Sequence, residues 1–230
     1  MSEAVSIPTH VGFILDGNRR WARQQGLPTL EGHRRGYDNL KDIARAAIDR
    51  GVSFVSAYVF STENWNRTPK EVKYLMELAY KMLTKDVTEL HKDNIRVLWL
   101  GSKERVSEKL ITAIRDAETL TQHNTKGTLC ICFNYGGQQE LADAIMTMAT
   151  TKNLGEITPK TISNFLYRPE VPNIDLLIRT SGEERTSGFM LYRAAYAELL
   201  FVKKFWPDFS INDLSDALTV FAKRQRRFGS

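Results

Sequence analysis

The sequence predicts an α/β fold, a single domain over residues 1–230 with a central, mainly parallel sheet of about six strands flanked by helices. Short β-branched and aromatic runs alternate with helix-period segments along the whole chain. Such alternation implies right-handed crossovers and a sheet covered on both faces. The 230 residues, 42% hydrophobic and 26% charged, suffice for one sizeable core, and no repeat, low-complexity segment or linker divides them.

The elements follow in order. His10 to Leu15 reads as a strand. Between Tyr37 and Arg50, Leu40, Ile43, Ala44, Ala47 and Ile48 fall at helical spacing, and Gly51 supplies the stop. Phe54 to Phe60 is aromatic and β-branched, hence a strand. Thr68-Pro69-Lys70-Glu71 has the residues of a capping box with proline at the first helical position. The helix it opens runs to about Lys92. Ile95 to Leu100 is a strand, Val106 to Gln122 a helix, Thr128 to Phe133 a strand and Gln138 to Ala149 a helix. Thr158-Pro159 starts a short helix. Ile174 to Ile178 and Leu199 to Val202 are the last strands, and Ser210 caps a final helix carrying Leu214, Leu218 and Phe221.

Composition narrows the function classes. No stretch approaches the ~18 apolar residues of a membrane span. The segment MSEAVSIPTH lacks the basic and apolar blocks of a secretory signal. Cys130 and Cys132, the two cysteines, lie two apart on one strand, share a face, and do not form a redox or metal pair. A cytoplasmic protein is expected. The net charge of +5 suits an anionic ligand, a membrane surface or nucleic acid without choosing among them. The basic run Lys223-Arg224-Gln225-Arg226-Arg227 reads as a solvated helix end. Phe221 and Phe228 are not interleaved with its cations as a nucleic-acid stacking platform requires, so no nucleic-acid partner is expected.

Ligands of open parallel sheets bind beyond the carboxyl ends of the strands. Four polar clusters fall there: Asp16-Gly17-Asn18-Arg19-Arg20, Ser61 to Arg67, Asn134-Tyr135-Gly136-Gly137, and Arg179 to Ser187. Each alone reads as a turn or surface loop, and His33 alone as a surface residue at a helix start. Together they bring arginine forks, which match phosphate oxygens in pairs, and glycines that let backbone N–H groups approach an anion. One carboxylate among several cations suits magnesium held jointly by protein and substrate phosphates. The inferred ligand is a diphosphate.

These residues resemble the cis-prenyltransferases, the undecaprenyl diphosphate synthase family, from Pro8 to about Gly229. The matching motifs are His10-Val11 leading to Asp16–Ala22, Gly32-His33-Arg34, Phe60–Arg67, Asn134–Gly137, Asp175–Glu183, Ala195–Leu199 and Trp206–Phe209. The resemblance implies a homodimer that adds isopentenyl diphosphate to an allylic diphosphate such as farnesyl or geranyl diphosphate, forming Z double bonds. The expected product is the undecaprenyl-type carrier precursor, or alternatively a short- or medium-chain Z-prenyl diphosphate. It also implies Mg2+ on Asp16 and Glu198. Gly17, Asn18, Arg19, Arg20, Trp21 and Arg67 would bind the allylic diphosphate, and Arg179, Arg185 and Ser187 isopentenyl diphosphate. Ser61, Asn64 and His33 would lie near the reacting carbons with Asp16, and Trp65 at the entrance. A lipid product implies transient contact with a membrane surface.

The chain departs from the family pattern at four places. Thr29 stands where an arginine is common, with Arg34 or Arg35 as substitutes; Glu184, Gly188 and Gln138 replace more familiar residues. A catalytically silent subunit is the other reading, disfavoured because such partners lose the first-strand aspartate motif that Asp16 and Arg20 retain.

Overall fold

The computed structural model describes residues 6–152 and 154–224. Residues 1–5 and the Gln225, Arg226, Arg227 and Phe228 of the basic terminus lie outside the described residues.

Six strands form one all-parallel sheet: β1 (His10–Ile14), β2 (Phe54–Ser61), β3 (Ile95–Leu100), β4 (Gly127–Tyr135), β5 (Leu176–Arg179) and β6 (Glu198–Phe201), in the order β3-β4-β2-β1-β5-β6. The chain first winds from β1 toward β3 and then returns to the other side of β1. The reversal places the switch point, where parallel sheets open a crevice, at the carboxyl end of β1.

The helices are α1 (Asn18–Gln24), α2 (Thr29–Asp49), α3 (Pro69–Lys81), α4 (Val87–Lys92), α5 (Glu108–Thr121), α6 (Gly137–Thr150), α7 (Pro159–Ser163) and α8 (Ile211–Lys223). Alternation along β1 sorts the two cores. Val11 and Phe13 face a large cluster with Leu40, Ile43, Leu90 and Leu214, whereas Gly12 and Ile14 face a smaller one with Leu177, Phe189 and Tyr135. Cys130 and Cys132 are free and buried in the smaller cluster.

Two helical segments differ from expectation. Helix α1 was not foreseen, and α2 begins at Thr29, two turns before Tyr37. Gly32 and Gly36 hide those turns because glycine disfavours an isolated helix. Here they admit α1: a Cβ on Gly32 would sit 2.0 Å from the Asn18 carbonyl, and one on Gly36 2.2 Å from the Asn18 side chain. Further on, the helix expected from Pro69 to Lys92 is interrupted by a π turn at Met82–Asp86. Thr68 caps α3 by accepting the Glu71 N–H, but the Glu71 carboxylate does not return to the cap and turns elsewhere.

Candidate active site

Strand β1 stops at Ile14, and the chain turns through Leu15 and Asp16 into α1. The turn needs Gly17, whose φ is +106° and whose added Cβ would lie 2.7 Å from the Phe205 ring. The Thr180 hydroxyl and the Trp206 N–H both donate to the Asp16 carbonyl, at 2.7 and 3.0 Å, so the backbone holds the carboxylate in place.

Asp16 is the hub of a chain of alternating charges. Arg179, at the end of β5, donates to Asp16 Oδ2 at 2.9 Å, and Arg20 lies 3.4 Å from the same oxygen. Asp16 Oδ1 accepts the Gly17 N–H at 2.7 Å. Arg20 donates to Glu183 at 2.9 Å and to the Ser181 hydroxyl, and Glu183 also pairs with Arg185. The second nitrogen of Arg179 reaches the Arg185 carbonyl and the Ser187 hydroxyl at 2.6 and 2.8 Å. Burial works to raise the Asp16 pKa, but the hydrogen bond and charge of Arg179, with Arg20 and the Gly17 N–H, outweigh it and hold the carboxyl below its ordinary value. It is anionic at neutral pH.

A second cluster forms where α2 and α3 meet. His33 donates from Nε2 to Glu71 Oε1 at 2.9 Å, Arg67 donates to the same oxygen at 3.0 Å, and Arg19 lies 4.0 Å away. Since a carboxylate only accepts, His33 carries its proton on Nε2. Burial lowers the His33 pKa, and the charges of Arg67 and Arg19 add to this against the bond to Glu71, so the ring is neutral at pH 7. His33 is therefore buried, not on the surface. Glu71 is the site residue missed from sequence, since its capping-box position accounted for it; the one local signal was its i,i+4 spacing from Arg67.

Both clusters border one cleft of about 710 Å3. Asp16, Gly17, Asn18, Arg19, Arg20, His33, Ser61, Asn64, Arg67, Arg179 and Ser187 all line it. Asn64 accepts the Ser61 N–H at 3.2 Å, which shapes the turn after β2. Among the lining residues five are arginines, including Arg23, against the two acids Asp16 and Glu63. This end carries a cation excess suited to an anion. The other end is apolar, with Leu40, Val59, Leu75, Leu78 and Ala79.

Several expected site residues stand apart from the cleft lining. Trp21 donates its indole N–H to Asp208 at 2.8 Å, and Arg185 faces solvent beside Glu183 while its carbonyl serves Arg179. Glu198 starts β6 opposite Leu176, whereas Arg179 pairs with Phe201. Register therefore puts Glu198 at the amino end of the sheet, away from Asp16 within the chain, where it pairs with Arg224 at 2.9 Å.

Trp65, expected at the entrance, does not line the cleft either. It packs on Phe60, lies under Arg105, and donates to Asn134 at 2.7 Å. Asn134 is thereby a brace, and Tyr135 is buried in the smaller core, so three strand ends form the cleft and the fourth supports it. Arg34, occupied by Glu31 and Asp38, is not in the cleft; the extra cation there is Arg23. Gly188 has φ +73°, a left-handed conformation that glycine adopts without strain.

The donor set suits a hard cation shared with a ligand. Asp16 presents one anionic, partly exposed carboxylate, and among the described residues no three histidine, cysteine or acidic side chains are grouped to hold a metal. That fits magnesium held by one carboxylate and phosphate oxygens. It does not fit a cage made by the protein alone.

Comparison with known proteins agrees with this geometry. Residues 14–229 match the family described as "Putative undecaprenyl diphosphate synthase". A Thermobifida fusca protein named trans,polycis-polyprenyl diphosphate synthase ((2Z,6E)-farnesyl diphosphate specific) is 43% identical, covering 97% of this chain and 81% of its own. An isoprenyl transferase of Thermotoga maritima is 42% identical over 97% of both chains. The crystal structure of lavandulyl diphosphate synthase from Lavandula x intermedia with dimethylallyl diphosphate superposes at TM-score 0.93. It has 34% identity and covers 97% of this chain and 99% of that one.

Proposed function

This chain belongs to the undecaprenyl diphosphate synthase, or cis-prenyltransferase, family, and from that premise we propose that it condenses isopentenyl diphosphate with an allylic diphosphate such as farnesyl or geranyl diphosphate to form a Z-prenyl diphosphate. The observation that carries this reading is a single cleft with an arginine-rich end at the sheet's switch point and an aliphatic end between α2 and α3. Such a ligand has the same two ends.

In this reaction the allylic C–O bond breaks with its electron pair leaving on the diphosphate. The allylic carbon joins the terminal alkene carbon of isopentenyl diphosphate, releasing diphosphate and a proton. Negative charge grows on the leaving group, so cations placed beforehand stabilise the transition state more than the ground state. Arg19, Arg20 and Arg67, with Gly17 and Asn18, serve the allylic diphosphate. Arg179 and Ser187 serve isopentenyl diphosphate, with the Arg185 carbonyl holding the Arg179 guanidinium. His33, Ser61 and Asn64 border the space where the carbon chains meet. Magnesium at Asp16 would supply further positive charge against the diphosphate. Glu198 could join it only from another chain, given its place in the sheet.

Of the two product classes, the cleft favours the shorter over the undecaprenyl-type precursor, since cavities of ~300–1,000 Å3 enclose drug-sized ligands. A homodimer is supported by β6 at the sheet edge, with Leu199 and the nearby Tyr196 exposed. No described helix is long and apolar enough to cross a membrane; the net charge of +5 supports transient contact of a cytoplasmic enzyme with an anionic lipid surface.

The test is incorporation of labelled isopentenyl diphosphate by the purified chain alone, with primers of increasing length, with and without magnesium. Magnesium-dependent incorporation is expected. No incorporation with any primer would overturn the enzyme reading in favour of a silent subunit.

A further inference from the structure

The apolar end of the cleft carries one wall residue unlike the others. On α2 the lining reaches Tyr37 and Leu40, and on α3 it reaches Ala79. Beyond them Ile43 and Ala44 are packed into the larger core, while Met82 and Leu83 also line a small apolar cavity that shares Ala79 with the cleft. Tyr37 differs from this aliphatic company because its hydroxyl donates to the Asp86 carboxylate. The ammonium of Lys41 binds the same Asp86 oxygen at 2.9 Å. Lys41 and Lys81 lie 5.0 and 5.2 Å from the Tyr37 ring centroid, within cation–π reach.

Asp86 can make this bond because it ends the π turn. One residue inserted into the helical run changes which side chains face α2, and such turns concentrate at functional sites. The ring is thus held in place, with the apolar cleft on one side and a largely buried ion pair on the other. A hydrocarbon that pushed past it would displace the hydroxyl from Asp86 and bring charged groups against apolar carbon without water. Burying charge that way is strongly unfavourable. An aliphatic wall would yield by small repacking; a ring backed by ions would not.

Resting on the prenyl-transfer reading above, we propose that Tyr37, braced by Asp86 and Lys41, is the stop that limits product length, so that this chain releases a Z-prenyl diphosphate of only a few isoprene units. The sequence marks Tyr37 only as the start of a helical apolar face. Its function as a stop comes from the partner that the π turn delivers.

Products made from one primer should be sized for the wild type, Tyr37→Ala and Tyr37→Leu. The wild type should stop after a few units, and either variant should extend the longest product by at least one unit. A variant that incorporates label with an unchanged product ladder would refute the stop while leaving the reaction class standing. A wild type that incorporates nothing would instead refute the reading on which the proposal rests. Binding to the wild type gives a test independent of how the variants fold. Affinity for prenyl diphosphates of increasing length should climb and then drop at least tenfold at one added unit. A continued climb would overturn the proposal.

Discussion

Two buried glutamates, one on each side of the sheet, show how differently the two faces are used. Glu71 borders the cleft face and shares one oxygen between His33 and Arg67, with Arg19 near by. Glu140 lies in the smaller core, where Arg193 donates to one oxygen at 2.7 Å and Tyr135 to the other. Both faces therefore bury charge. On the closed face aromatic rings fill the surrounding space, with Tyr58 stacked on Phe189 at 4.6 Å and Tyr135 set edge-on to both. On the open face the long helices α2 and α3 stand apart and leave a cleft. The same kind of pair holds a packed core together in one place and borders an open cleft in the other.

Substitution separates the two roles. Glu140→Ala leaves the Arg193 guanidinium buried without its anion, a change that costs about 3–5 kcal/mol. Denaturant unfolding should show that loss, while kcat of the folded fraction stays near wild type. A stability loss below about 1 kcal/mol would show that the pair on the closed face does not hold the core.

Asp16→Asn should do the reverse. The amide keeps the shape and an acceptor for Arg179 but removes the charge, and turnover should fall about 10²–10³-fold, as for loss of one stabilising contact in comparable sites. The unfolding midpoint should move little. Near-wild-type turnover in the folded variant would remove Asp16 from the site.

The smallest effect is in pH dependence. His10, on the closed face, is buried against Ser56 and the Pro172 carbonyl. Burial lowers its pKa from 6.5 to about 4. A depressed histidine pKa means the unfolded chain binds the proton first, so stability is full above pH 6.5 and declines as pH falls toward 4. From pH 7 to 5 the loss attributable to His10 should be about 2 kcal/mol. His33 in the cleft, shifted the same way, adds to it. His10→Asn should flatten the decline measured by denaturant unfolding; an equally steep profile in that variant would show that the closed face does not titrate.

Much of the fold was legible because periodicity is local. Strand and helix patterns depend on side chains two or four residues apart, so all six strands and most helices could be read within a few residues of their ends. What was illegible depended on contact. Gly32 and Gly36 look like breaks in a helix until α1 packs on them. Glu71 looks like a capping residue until His33 arrives from α2 to share its oxygen with Arg67.

The site divides along the same line. By itself the sequence determined the alternation of strands and helices, the polar residues at strand ends, and a cation excess suited to a diphosphate. Only the tertiary structure decided which groups meet. Parallel register carried Asp16 to Arg179 and left Glu198 at the far edge, and a single π turn brought Asp86 to Tyr37. The physical reason is that periodicity is set along the chain, whereas pairing across crossovers depends on segments far apart in it, and one residue of shift redirects the side chains that follow.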